Sequence, residues 1–304
     1  KQCGYISFED CPRYWPMIER AADRIEREGP SSQQDRWEEV GGISLYTVAI
    51  SIAALLEAAE IAKAANKPGA AARWRSKADE WNASIEDWCY ARGTPLAKEH
   101  GVSGHYIRIR PVDDADPRVL LPIESPIYIG NREEDERYFD ACDIVSPDVL
   151  ALVRFGLRRP DDPKILNTLK IVDALLKVDT DFGPAWKRYN NDGYGEKANG
   201  DPFDGTGVGR PWPLLTGERA HLALQAGEDP LPYIHTIHRC ASPGGLLPEQ
   251  VWDADPIPER NLYPGRPSGS AMPLLWSHAE FLKLLVARRE KKPVELLDAV
   301  AARY

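Results

Sequence analysis

A mainly α-helical fold follows from three features of the 304-residue sequence. Apolar residues recur at helical spacing through much of it, one segment is apolar on nearly every face, and alternating β-type stretches are few and short. The first periodic segment, RYWPMIERAADRIEREG, sets Trp15, Ile18, Ala22 and Ile25 at three- and four-residue steps and stops at Gly29-Pro30. The next, Leu45 to Ala65, is apolar almost all round, which predicts a helix buried on most of its surface and ended by Lys67-Pro68-Gly69. A third, Ala70 to Tyr90, aligns Trp74, Ala78, Trp81, Ile85 and Trp88 along one face. Pro147 to Gly156 and Pro163 to Lys177 each open in an Asp/Ser/Pro capping context, and Ala271 to Arg289 supplies the last strong helix. The strand candidates, GHYIRIRPV and SPIYIGN, together predict a small β-hairpin inserted between helices. Residues 180–217 and 241–270 read as loops whose length and aromatic content mark them as functional.

Composition narrows the function. With 43% apolar and 28% charged residues the chain can bury a large core. Charges interrupt the apolar runs, so no membrane span of about 20 apolar residues is expected. A formal charge of −9 argues against nucleic acid as a partner and favours a neutral ligand. The five cysteines (Cys3, Cys11, Cys89, Cys142, Cys240) form no CxxC pair and are odd in number, so buried free thiols are expected and no zinc site. A Cys3–Cys11 bridge is the alternative in an exported protein. The compartment stays open, with a secreted or periplasmic location slightly favoured over the cytoplasm.

Three motif groups carry chemistry: Arg36-Trp37-Glu38-Glu39; GPAWKRYNNDGYGE followed by GVGRPWPLLTGERAHLAL; and GGLLPEQVWD followed by GSAMPLLWSHAE. Each joins carboxylates or guanidiniums to indoles and phenols. That mixture suits a sugar, whose ring face packs on aromatics while its hydroxyls bond charged groups. Carboxyl groups on two separate loops are also the minimum apparatus for cleaving a glycosidic bond. Without the other motifs, Glu38 and Glu39 would read as solvated charges near a helix N-terminus.

In order and spelling, RWEE, RYNNDGYGE, GRPWPLLTGER, PEQVWD and WSHAE resemble the glucoamylase family, the family 15 glycoside hydrolases, and within it the bacterial glucoamylases and glucodextranases. The resemblance runs from about Tyr14 to Tyr304. It implies an α/α toroid of the six-hairpin barrel type, here expected to lack its N-terminal helices because only about eight helical segments can be found. It also implies an inverting exo-acting hydrolase that releases glucose from the non-reducing ends of α-glucans. By motif position Glu38 is the general acid and Glu249 the general base, while Trp37, Glu39, Arg188, Tyr189, Asp192, Tyr194 and Trp212 line the sugar site.

Those roles set physical requirements. Glu38 must hold its proton, so burial or its neighbour Glu39 should raise its pKa. Glu249 must be ionised to activate a water, with the two carboxyls roughly 6.5–9.5 Å apart in an inverting enzyme. Gly41 and Gly42 should let the loop turn tightly into the buried helix. The family's upstream Arg-Asp segment and β-sandwich are not found in the sequence, so an N-terminal segment of the same enzyme is the expected partner beside an α-glucan oligo- or polysaccharide. These residues by themselves are expected to hydrolyse poorly. No cofactor is expected; structural Ca²⁺ is compatible with the oxygen-rich 179–204 stretch, which lacks EF-hand spacing. The alternatives are a glucodextranase or other α-1,6-acting glucosidase or transglucosidase, or a non-catalytic glucan-binding helical domain. His278, in an apolar helix, reads as a core histidine.

Overall fold

A computed structural model describes residues 11–304, so the Cys3–Cys11 alternative lies outside the described residues. The helices are α1 (Cys11–Glu28), α2 (Leu45–Ala64), α3 (Pro68–Cys89), α4 (Pro95–Glu99), α5 (Leu150–Arg154), α6 (Pro163–Leu176), α7 (Pro213–Gln225), α8 (Leu231–Arg239), α9 (Leu275–Glu290) and α10 (Asp298–Ala301). The helices pack on their neighbours, α1 on α2, α2 on α3, and α7 on both α8 and α9. Sequence explains this local order. In α3 the expected face is buried, with Trp74, Ala78, Trp81 and Ile85 turned inward. In α6, Asp162 caps the first turn by accepting the Lys164 N–H at 2.7 Å, and Pro163 fills a position whose N–H has no helical partner.

α2 is the centre of the main core, with Leu45, Val48, Ile52, Leu55, Leu56 and Ala59 each at most 2% exposed. Each large apolar side chain so buried contributes roughly 1.5–3 kcal/mol before the entropy of ordering is set against it. The helix passes length and hydropathy criteria for a membrane span, contrary to the expectation from the interrupted apolar runs. It is packed against α1, α3 and α5 as a core helix. A smaller core of Ala220, Ile234, Ile237, Leu247 and Leu284 joins α7, α8 and α9 to the loop before Glu249.

The strands are β1 (Ile43–Ser44), β2 (Tyr90–Arg92), β3 (Gly104–Tyr106), β4 (Ile109–Arg110), β5 (Pro126–Tyr128), β6 (Tyr138–Asp140), β7 (Lys177–Thr180) and β8 (Gly183–Trp186). The expected single hairpin is not formed. GHYIRIRPV divides between two partners, β3 pairing with β2 and β4 with β1, while SPIYIGN supplies β5, which pairs with β6. β1 and β2 are two- and three-residue extensions of the ends of α2 and α3, and β6 is a three-residue piece of loop, all too short to show alternation. Pro213 and Gly217 likewise hid the start of α7. Pro213 occupies the first helical turn, and Gly217 lies where an added Cβ would approach Glu280 Cγ to 2.5 Å. Cys89, Cys142 and Cys240 are free and buried, and burial pushes the Cys89 and Cys240 thiols up to about 12.

A buried chain of charges crosses the molecule. Arg36 pairs with Asp148 (2.9 Å) and Glu218 (2.7 Å), Arg154 with Glu218 (2.6 Å), and Glu280 with His221 (3.0 Å) and Lys283 (2.6 Å). It ties the loop before α2 to α5, α7 and α9.

Candidate active site

The loop carrying Glu38 is closed at its neck by the paired backbones of Ser32 and Gly42, 2.9 Å in each direction. Within it, Asp35 accepts the N–H groups of Trp37 (3.1 Å) and Glu39 (3.2 Å), and Glu38 turns back with φ +61°. A left-handed backbone at a non-glycine residue costs roughly 1–2 kcal/mol. It is held there by Asp35, which Arg108 in turn fixes at 2.6 Å. Of the two glycines, Gly42 has the left-handed φ (+135°), and a Cβ there would lie 2.5 Å from the Arg110 carbonyl.

Glu39 is the anchor of a dense network. Its carboxylate accepts from Arg108 (2.8 Å), Arg188 (2.9 Å), Asn131 (3.1 Å) and the Tyr189 hydroxyl (2.6 Å). Arg188 also forks onto both oxygens of Asp192 at 2.7 and 2.8 Å. Burial opposes charge on Arg188, but Asp192, Tyr189 and Glu39 more than offset it and hold the guanidinium well above its usual range. Gly193 lets the chain pass Asn131 closely, since a Cβ would lie 2.0 Å from its carbonyl. The guanidinium of Arg188 lies 5.1 Å from the Trp37 ring centroid, 4.7 Å from that of Tyr194 and 5.7 Å from that of Trp212. Trp37 and Trp212 meet at 5.1 Å, and Tyr194 stacks on Trp212 at 6.1 Å. The indole N–H groups of Trp37 and Trp212 are buried without a protein acceptor.

All seven expected sugar-site residues therefore share one cluster. Trp37, Arg188, Tyr194 and Trp212 form the aromatic and cationic wall, in which Arg188 and Trp212 are 3% and 5% exposed. Tyr189 and Asp192 are equally buried, with their oxygens taken up by Glu39, Arg188 and Asn131. Glu38 differs from expectation. Its side chain is exposed, and the charge of Glu39 is neutralised by two guanidiniums, so neither expected influence surrounds it.

Glu249 follows Pro248 in a buried extended segment, its N–H donating to the Ala271 carbonyl at 2.9 Å. It borders a cavity of about 520 Å³ together with Tyr194, Glu196, Phe203 and Ser270, a size suited to a small ligand. Burial pushes its carboxyl above the usual range; the Tyr194 hydroxyl and Arg188 partly counter this, and Glu196 adds to it. If Glu249 is the base its motif implies, activity falls as pH drops through its pKa, and the acidic limb of kcat/KM should lie above the ordinary carboxylate range. Tyr194→Phe removes a bond that favours the ionised form and should move that limb to higher pH; Glu196→Gln should move it lower. A pH profile in which Tyr194→Phe shifts the limb downward would contradict this arrangement.

Asp35, Arg108 and Asn131 were not expected from sequence, and Arg36 was noted there only as part of RWEE, with no role of its own. Only Asp35 stood close enough to RWEE to have been found, as an acidic residue able to cap the turn. Among the described residues no group of three or more His, Cys, Asp or Glu side chains could hold a metal ion. In the 179–204 stretch Asp179, Asp192, Asp201 and Asp204 are paired with Lys177, Arg188, Arg260 and Lys197.

Packed helices whose loops converge on an arginine-centred aromatic cluster, with one carboxylate on each of two loops beside it, place the chain among the α/α-toroid glycosidase folds. It belongs to glycosyl hydrolases family 15, whose sequence model matches residues 8–286. A glucoamylase of Clostridium sp. (strain G0005) is 40% identical over 291 residues, covering 96% of this chain and 38% of that protein. The crystal structure of a bacterial glucoamylase complexed with acarbose aligns with a TM-score of 0.84 and 39% identity, covering 96% of this chain and 40% of that one. The glucoamylase from Saccharomycopsis fibuligera, at 17% identity and a TM-score of 0.59, shares the fold and covers 91% of this chain and 62% of its own. The chain thus spans about two-fifths of the length of its two more similar relatives.

Proposed function

We propose that this chain supplies the acid and the base of an inverting, exo-acting glucan 1,4-α-glucosidase. The observation that carries the reading is the convergence of the two motif loops: Trp37 and Glu39 beside Glu38, and Tyr194 on Glu249, meet at Arg188. Glu38, on its locked turn, gives its proton to the glycosidic oxygen as the bond to C1 breaks. Glu249 takes a proton from the water that attacks C1 from the opposite face. Positive charge develops at C1 and the ring oxygen, and the ionised Glu249 carboxylate on the side of the attacking water opposes it. The names of both similar relatives support glucose release from α-glucans.

The reading includes a further segment of the same enzyme, N-terminal to this one, that covers Glu38 and completes the site for the terminal glucose. The test follows the anomer released from maltotetraose by NMR, for the full-length enzyme and for residues 1–304 alone. The full-length enzyme should release β-glucose first, and residues 1–304 should react slowly or not at all. Initial α-glucose would refute inversion. Full activity from residues 1–304 would refute the segment. Faster cleavage of isomaltotriose would make the enzyme a glucodextranase, and binding without cleavage would make it a glucan-binding domain.

A further inference from the structure

The general-base loop is held by a helix that no motif-based role explains. From Leu247 to Val251 each backbone N–H that exists has a partner. Leu247 donates to His278 Nε2 at 2.9 Å, Glu249 to the Ala271 carbonyl at 2.9 Å, Gln250 to Ser270 Oγ at 2.9 Å, and Val251 to the Pro211 carbonyl at 3.0 Å. The carbonyls on the N-terminal side of Glu249 are also taken, Leu247 by the Leu274 N–H at 2.9 Å and Pro248 by Ser277 Oγ at 2.8 Å. Two consecutive side chains of α9, Ser277 and His278, thus grip the two residues directly before Glu249.

Their own positions are well determined. Ser277 is 1% exposed, and the next turn of α9 carries Glu280, which is wholly buried and paired with His221 and Lys283. The Leu247 side chain lies in the small core with Ala220, Ile234, Ile237 and Leu284. The loop is therefore tied to α9 by its backbone and to α7 and α8 by its side chain. Beyond His278 opens a cavity of about 620 Å³, bordered by Phe182, His238, Arg239, Arg266 and Phe281. The His278 bond holds the Leu247 backbone beside this cavity, which Leu247 itself borders. Its effect is to fix where the loop lies.

We infer that Ser277 and His278 are positioning residues for the general base, setting the placement of Glu249 through the backbone of Leu247 and Pro248. This rests on the assignment of Glu249 as base. The tether matters only when the water is activated, because Glu249 must meet that water in the transition state whereas the wall around Arg188 binds the sugar. Misplacing a catalytic group by about 1 Å can cost on the order of a hundredfold in rate.

The test compares His278→Leu, His278→Gln and Ser277→Ala with Glu249→Gln in the full-length enzyme on maltotetraose. His278→Leu keeps a similar volume without an acceptor, and should lower kcat about ten- to a hundredfold with KM within about twofold. His278→Gln can present its Oε1 where Nε2 lies and should recover most of that loss; Ser277→Ala should lower kcat in the same direction. Amide exchange of Leu247 gives a readout independent of turnover: slow in the wild type, fast in His278→Leu, slow again in His278→Gln. Unchanged kcat in His278→Leu would overturn the inference, as would a loss that His278→Gln fails to recover or a loss confined to KM. Full activity of Glu249→Gln would instead refute the base assignment, and the exchange pattern would still report whether the tether exists.

Discussion

Glu249→Gln in the full-length enzyme should reduce kcat/KM on maltotetraose by roughly 10²–10⁴-fold, and Glu38→Gln should do the same. The substitutions preserve size, so the loss reads the missing proton transfer. The two roles separate with the leaving group. A glucose alkoxide leaves poorly without a proton, whereas fluoride leaves without one. α-Glucosyl fluoride should therefore be hydrolysed by Glu38→Gln at a rate near that of the wild type, and hardly at all by Glu249→Gln, which still lacks the base that activates water. Both variants retaining full rates on maltotetraose would remove the assignment. The reverse fluoride pattern would exchange the roles. Neither substitution should unfold the protein, since Glu38 is exposed and, among the described residues, Glu249 forms no side-chain ion pair within 4.0 Å.

What the sequence made legible and what it did not follow from how local each signal is. Helices α1, α3 and α6 are written in apolar spacing over 14 to 22 residues each, and α2 in a 20-residue run apolar on nearly every face, long enough for the pattern to outweigh local exceptions. The short strands had no such record: β1 and β4 are two residues long and join positions more than sixty apart. The same distinction runs through the site. Glu38, Glu39, Arg188 and Glu249 belong to compact motifs whose residues are adjacent in sequence. Arg108 and Asn131 are lone polar residues 69 and 92 positions from Glu39, and only the fold brings them to it. Their charge and amide would have suited any surface. The left-handed backbone of Glu38 was hidden for a different reason, because Gly41 and Gly42 offered the more economical explanation of the turn, while the strain rests on Glu38 and is borne by Asp35 and Arg108.

Arg36→Met should destabilise the fold by about 3–5 kcal/mol at neutral pH, the cost typical of removing one partner from a buried ion pair. Arg36 and Asp148 have side chains 4% and 1% exposed, and Arg36 is the only cation within 4.0 Å of Asp148 among the described residues. Glu218 would keep Arg154, so the stranded charge is that of Asp148. Burial already holds the Asp148 carboxyl above the usual range in spite of Arg36, and removing Arg36 should raise it further. The sign of the pH dependence follows. A carboxyl whose folded pKa exceeds its unfolded value favours the folded state at low pH and loses that contribution as pH rises through the folded pKa. The penalty of Arg36→Met relative to wild type should therefore be small near about pH 4, grow as pH rises, and level off once Asp148 is fully ionised. Urea unfolding of both proteins across that range measures it, and adding Asp148→Asn to Arg36→Met should recover part of the loss at neutral pH. A penalty that does not change with pH would point elsewhere, to the packing of the guanidinium between the Trp37 and Tyr46 rings at 4.6 and 4.4 Å. Arg36 directly precedes Trp37 and Glu38, so the same substitution should loosen the acid loop and lower kcat at temperatures where the variant is still folded.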